Sequence, residues 1–174
     1  TFDLLNYELQ ATGEFIEVEP TDQSGGLLIQ TRKAPLDICA VPDVTFNTAI
    51  AALVGPTIVG VYGQEGEDRF LVKIDGQAID LPPGQTFDLP GGGTIRKPLA
   101  ELEMYVVRWP DGSTLKIQPA GGTTAGMTLQ VSLDPAWAGN VRGLLGNWNG
   151  LPTDDVNPRD GSTLAQPVSM DDLY

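Results

Sequence analysis

Short runs in which every second residue is apolar recur along this chain, and hardly any segment repeats with the helical period. The clearest run is 44–54, where Val44, Phe46, Thr48, Ile50, Ala52 and Val54 fall on one face of an extended chain, since successive side chains of a strand point to opposite sides. Residues 57–62 follow after Gly55-Pro56 and read as its neighbour. Strands are also expected over 2–10 and 14–19, with a kink at Ala11-Thr12-Gly13, and over 26–32. Residues 69–74 and 77–81 flank Asp75-Gly76, a pair favoured where both central residues of a tight turn need positive φ, and so predict a hairpin. A second hairpin joins 101–109 to 113–118 through Pro110-Asp111-Gly112. Between the two lie 85–89 and 94–97, separated by Gly91-Gly92-Gly93. No helix follows that triple glycine, so it reads as a turn and not as a phosphate cradle. After a turn at Gly121-Gly122, residues 127–133 form the last long alternating strand, and Asp134 is placed to cap one helical turn over Pro135-Ala136-Trp137. A turn at 160–164 and the beginning of a further element at 169–174 complete the pattern.

The 21 glycines and 14 prolines fall between these runs, which is the punctuation of an all-β domain. The expected fold is an antiparallel two-sheet β-sandwich with long loops and at most one or two short helical turns. At 174 residues, 41% of them hydrophobic, one core is the natural outcome, and the chain is read as a single domain whose C-terminal element is cut short.

Charge and inventory then narrow the chemistry. Asp and Glu number 23 against 10 Lys and Arg, a formal charge of −13, which disfavours nucleic acid or an anionic membrane as partner. There is no histidine and a single cysteine, Cys39, so zinc sites and Ser-His-Asp or Cys-His nucleophiles are excluded. Cys39, inside Leu36-Asp37-Ile38-Cys39-Ala40-Val41, reads as a small buried hydrophobe. No apolar run is long enough to insert as a membrane-spanning helix. Thr1 opens directly on a strand-like run without a basic and apolar leader, as expected of a mature or excised piece.

The richest chemistry lies at Gly143-Leu144-Leu145-Gly146-Asn147-Trp148-Asn149-Gly150-Leu151-Pro152-Thr153-Asp154-Asp155. Asn147 and Asn149 are two apart, so an extended or tightly turned backbone can aim both amide oxygens at one centre, and Gly150 permits a reversal that brings Asp154 and Asp155 back to it. The carbonyl of Leu151 could complete the set. Calcium takes six to eight oxygens at about 2.3–2.6 Å in irregular geometry, and this mixture of carboxamides, carboxylates and a carbonyl reads as a calcium loop. The plainer reading is a polar surface turn, since Asn-Gly and Asp-rich loops are common in β-proteins.

Taken together, the two ends resemble those of a von Willebrand factor type D domain in a disulfide-poor, bacterial form. The start, Thr1-Phe2-Asp3 with Tyr7 and Phe15 downstream, is similar to the family's Phe-Asp-Gly and aromatic strand. The end, Gly143-Leu144-Leu145-Gly146-Asn147-Trp148-Asn149-Gly150 with Asp154-Asp155, resembles the family's Gly-Leu-Cys-Gly-Asn-Phe-Asn-Gly and its Asp-Asp pair. Val106-Val107-Arg108-Trp109-Pro110-Asp111-Gly112 resembles its strand running into a Trp-x-Asp-Gly turn. The resemblance implies one calcium ion in the closing loop, completed by an aspartate of the opening strand. Its side-chain ligands would be Asp3, Asn147, Asn149, Asp154 and Asp155, with Leu151 supplying its carbonyl. Such a site would staple the first strand to the last loop. Leu145 stands where the family has a cysteine, and Gly13-Glu14, where its partner would lie, has none, so packing is expected to replace that disulfide. Leu4 stands where the family has glycine, at the turn that aims Asp3. Many members carry a Gly-Asp-Pro-His stretch just ahead of the point where this sequence starts.

The function this supports is a non-enzymatic, calcium-binding extracellular module, a structural, adhesive or assembly unit of a larger secreted or surface protein. Millimolar extracellular calcium suits a loop of modest affinity. A second reading is a carbohydrate-binding β-sandwich with a structural calcium ion, in which Trp109, Trp137 or Trp148 forms a stacking platform. A third is a carboxylate-only hydrolase built on acids such as Glu101 and Glu103, which alternate along one strand face. Edge strands offer a route to self-assembly or to a protein partner.

Overall fold

The structure is a computed structural model and describes residues 1–22, 24–35, 44–64, 69–99, 104–120 and 125–155. Cys39, Glu101, Glu103, the turn at Gly121-Gly122 and the segments 160–164 and 169–174 lie outside the described residues.

Among the described residues, twelve antiparallel strands form one continuous hydrogen-bonded sheet that curls as a half-barrel: β1 (Gly13–Pro20), β2 (Leu27–Pro35), β3 (Thr45–Val54), β4 (Thr57–Gly63), β5 (Phe70–Ile74), β6 (Gln77–Ile79), β7 (Thr86–Asp88), β8 (Thr94–Arg96), β9 (Tyr105–Arg108), β10 (Thr114–Pro119), β11 (Met127–Ser132) and β12 (Val141–Arg142). The main path runs β12-β1-β2-β3-β11-β10-β9-β8-β7. It forks at β3, whose residues 49–54 pair with β4 while Asn47 pairs with Met127 of β11. From β4 the branch continues through β5 to β6.

The period-two pattern builds the core. Ile50, Ala52 and Val54 of β3 are buried opposite Thr31, Ile29 and Leu27 of β2, as the alternation predicts. Val59, Val61, Val72 and Ile74 extend the cluster on one branch, and Ile95, Val107, Leu115 and Ile117 on the other. Trp109 is buried, and its Nε1 donates to the carbonyls of both Gly26 and Leu53, at 2.9 Å each. It thereby ties the end of the β9-β10 hairpin to the β2-β3 corner. The Asp75-Gly76 turn has φ of 48° and 80°, the paired left-handed conformation expected of that dipeptide. Asp134 accepts from Ala136 N at 2.9 Å and caps a 3-10 turn at Pro135–Trp137.

One expected strand is absent. Residues 2–10 join no ladder: the chain turns at Phe2-Asp3, Leu4 N and Leu5 N bond back to Thr1, Phe2 N and the Tyr7 hydroxyl go to the closing loop, and the Gln10 side chain accepts from Thr45 N. Two small elements were not legible in the pattern: β12, only two residues long, and a 3-10 turn at Pro152–Asp154.

Two bulges shape the sheet. The register shifts between Ile16 and Val18 on β1, and opposite Arg32 and Lys33 of β2, where Thr48 of β3 is the extra residue. The first leaves Glu17 outside the ladder, so its side chain turns inward and its carbonyl is free for another partner. Its carboxylate is buried, accepting from Thr31 Oγ1 at 2.7 Å with Lys33 Nζ 3.7 Å away.

Candidate metal centre in the closing loop

The loop is assembled on that bulge. Leu144 N and Leu145 N donate to the carbonyls of Ile16 and Glu17 at 3.0 and 2.9 Å, so the closing loop docks where β1 leaves its ladder. Gly143 makes the approach possible: its φ is +132°, and a Cβ there would lie 2.6 Å from the Glu17 oxygen. The opening segment then crosses over the loop. Phe2 N donates to the Leu145 carbonyl at 2.8 Å, the Tyr7 hydroxyl to the Leu144 carbonyl, and the Thr1 hydroxyl to Asp155 Oδ2. The Phe2 ring lies against Trp148, centroids 5.8 Å apart.

Asp3 sits at the centre of this crossing and is buried. Its Oδ2 accepts from Asn149 N at 2.9 Å and its Oδ1 from Gly150 N at 3.0 Å. The turn that aims it is intact although Leu4 replaces glycine, because Leu4 itself takes a positive φ of 68° with its side chain 85% exposed. Asn147 Oδ1 accepts from Asn149 N at 3.2 Å, and Asn149 Oδ1 accepts from Leu151 N at 2.8 Å. These are the local turns that short amide side chains favour. Asn149 Nδ2 donates to Asp154 Oδ2 at 2.9 Å. Leu151 precedes the 3-10 turn at Pro152–Asp154, and its carbonyl accepts from Asp154 N at 3.4 Å. Asp155 is buried and accepts from Asn147 N at 3.3 Å through Oδ1. Gly146 makes room for it: a Cβ there would lie 2.2 Å from that oxygen.

Each of Asp3, Asn147, Asn149, Leu151, Asp154 and Asp155 therefore belongs to one connected set of hydrogen bonds, drawn from the two ends of the described chain. Burial holds the Asp155 carboxyl above the usual carboxylate range; hydrogen bonds from Thr1 and Asn147 oppose this, and the nearby Asp3 charge adds to it. Burial, and then the charges of Glu17 and Asp155, keep the Tyr7 hydroxyl protonated far above its ordinary range. Among the described residues, neither Asp3 nor Asp155 forms an ion pair with Lys or Arg. Nor, among those residues, do three His, Cys, Asp or Glu side chains converge closely enough to hold a metal by themselves. An ion here would depend on carboxamide and carbonyl oxygens as well as carboxylates, which suits a hard cation and not a soft one.

Thr1, Tyr7, Glu17 and Gly146 hold this arrangement together without any signal in the spacing of the loop. Gly146 falls in the Gly-rich run, and Thr1 and Tyr7 fall in the opening that resembles the family, which are the signals that point to them. Trp109 is in the core, while Trp137 and Trp148 are half-buried against it, with Trp137 Nε1 donating to Asp111 Oδ2 at 2.7 Å. No helix among the described residues is long and apolar enough to cross a membrane.

The family model that matches this chain is the von Willebrand factor type D domain, over residues 1–162. No curated protein matches it.

Proposed function

The chain belongs to the von Willebrand factor type D domain family, and from that premise we propose that it acts as a non-enzymatic, calcium-stabilised extracellular module. It would serve as a structural, adhesive or assembly unit of a larger secreted or surface protein. The observation that carries this reading is the clasp of Asp3 on the backbone of Asn149 and Gly150, 146 and 147 residues away, beside a second buried carboxylate, Asp155. Two adjacent buried carboxylates without a cationic partner among the described residues are unfavourable. A bound calcium ion would supply the missing positive charge. Asp3, Asn147, Asn149, Asp154 and Asp155 would hold it with side-chain oxygens and Leu151 with its carbonyl, as the oxygen-only chemistry of the set suggests.

The opening segment has no ladder of its own, so its attachment rests on this clasp and the few contacts around it. Calcium would then act as a non-covalent staple where a disulfide-rich relative would use sulfur. Titration calorimetry on chelator-stripped protein tests the site. One ion per chain is expected, lost in Asp154→Ala and weakened in Asp3→Ala; no heat, with no ion retained after dialysis, would sink the reading.

The sheet ends in short strands. All three residues of β7, Phe87 among them, are exposed, and β6 ends the other branch. We read these edges as the places where another copy or a protein partner would add a strand. We read the fork at β3 as the line where the sheet folds over into two facing layers. Sedimentation velocity across calcium concentrations tests the association; a strict monomer throughout would contradict it.

A further inference from the structure

The closing loop contains an Asn-Gly dipeptide, Asn149-Gly150, in a setting that hydrogen-bonds the Gly150 N–H and both Asn149 Oδ1 and Nδ2. Both residues are exposed to water, and glycine puts no side chain in the way of its own backbone nitrogen. In this reaction the Gly150 nitrogen attacks Asn149 Cγ, the Cγ–Nδ2 bond breaks, and a succinimide ring closes as ammonia leaves. The proton displaced from Gly150 N leaves with that ammonia. Water then opens the ring at either carbonyl, giving aspartate or isoaspartate.

The three atoms involved are each held. The Gly150 N–H that must be lost donates to the carboxylate Oδ1 of Asp3 at 3.0 Å, a ready acceptor for the proton. Negative charge develops on Asn149 Oδ1 during attack, and that oxygen already accepts the backbone N–H of Leu151 at 2.8 Å, as a donor in an oxyanion hole would stand. The departing Nδ2 is hydrogen-bonded to Asp154 Oδ2 at 2.9 Å. Ordered structure ordinarily protects asparagine by holding these groups apart; here it brings an acceptor to the nucleophile and a donor to the oxygen.

We propose that Asn149 is a built-in modification site, at which the folded loop promotes succinimide formation with Asp3 as the acceptor for the Gly150 proton. The consequence follows from the geometry. Aspartate at 149 would add a fourth carboxylate to the loop, against Asp154 in place of the present hydrogen bond, and isoaspartate would route the backbone through the side chain and displace Gly150 from Asp3. Either product loosens the clasp on the opening segment, so in the ion-free domain the site is a clock for the life of the fold. This inference does not rest on calcium, since every group named belongs to the chain.

The test is site-resolved mass spectrometry of the intact folded protein, aged in chelator at neutral pH. Asn147, followed by Trp148, and Asn140, followed by Val141, serve as internal references. Asn149 should be converted well ahead of both, with isoaspartate among the products. Asp3→Asn, which keeps the side chain's shape but not its basicity, should slow conversion at Asn149 by about tenfold, the rate equivalent of one charge-assisted interaction with the reacting N–H. Should Asp3→Asn loosen the fold, the wild-type chain held unfolded in urea supplies a second arm: Asn149 should be converted more slowly there than in the folded protein, and a rate in the unfolded chain that equals or exceeds the folded one would overturn the proposal. Conversion no faster than at Asn147 and Asn140, or unchanged in a folded Asp3→Asn protein, would overturn the proposal.

Discussion

Two backbone positions decide whether the closing loop can form. Gly146 has φ of +85°, and a Cβ there would overlap the Asp155 carboxylate. Gly146→Ala should therefore destabilise the domain by about 3 kcal/mol, combining a left-handed penalty with a steric one, measurable as a lowered urea midpoint. Leu4 shows the opposite case. It holds φ of 68° with almost nothing packed on its side chain, so Leu4→Gly should stabilise by about 1 kcal/mol once glycine's greater freedom in the unfolded chain is offset. The spacing of Asn147, Asn149, Asp154 and Asp155 drew attention to the loop because short-range spacing is what a sequence displays. The role of Asp3 came only through resemblance, because nothing local to residues 1–10 reveals a contact more than a hundred positions away. Thr1 and Tyr7 likewise stand out only as parts of the opening that resembles the family, and nothing nearby in sequence reveals their contacts with the loop.

Asp155 also gives the domain a pH dependence of definite sign. Its folded carboxyl sits above the ordinary range, with burial the largest cause. Between the unfolded and the folded value the native state binds more protons than the unfolded chain. In calcium-free buffer this group's contribution to stability thus falls as pH rises through that window and is regained on acidification. Asp155→Asn has no such titration. Denaturant midpoints of the two proteins in chelator should converge or cross in favour of wild type as pH drops from neutral; a difference independent of pH would contradict the assignment.

At the level of elements, alternation and turn chemistry carried most of the sheet. The Asp75-Gly76 hairpin was legible because few dipeptides tolerate two positive φ angles in succession. The strand expected over 2–10 shows the limit of that reasoning. A period of two reports an extended chain but not whether a neighbour exists to pair with it, and here the donors and acceptors go to Leu144, Leu145, Asn149 and Gly150. β12 was too short to show any period, and the bulge that frees the Glu17 carbonyl is a matter of register, which hydrophobicity alone does not fix. The segment's hold on the loop can be weighed directly. Tyr7→Phe removes the hydroxyl donor of Leu144's carbonyl and should cost about 1–2 kcal/mol. Amide exchange should accelerate first at Phe2, whose N–H enters the same loop.

Across the described residues the molecule is a curled sheet whose opening segment is fastened to the closing loop by polar contacts instead of strand pairing. The acidic surface, with a formal charge of −13, keeps such a module soluble and receptive to cations. One experiment tests this most directly: thermal melts of the domain in chelator and in about millimolar calcium, for wild type and for Asp3→Ala. A ligand bound only by the folded state stabilises by RT ln(1 + [L]/Kd), about 2.7 kcal/mol at a hundredfold excess over Kd. A clear rise in Tm for wild type, much reduced in Asp3→Ala, is the predicted result. Identical melts with and without calcium would contradict the ionic staple and leave the clasp to hydrogen bonds alone.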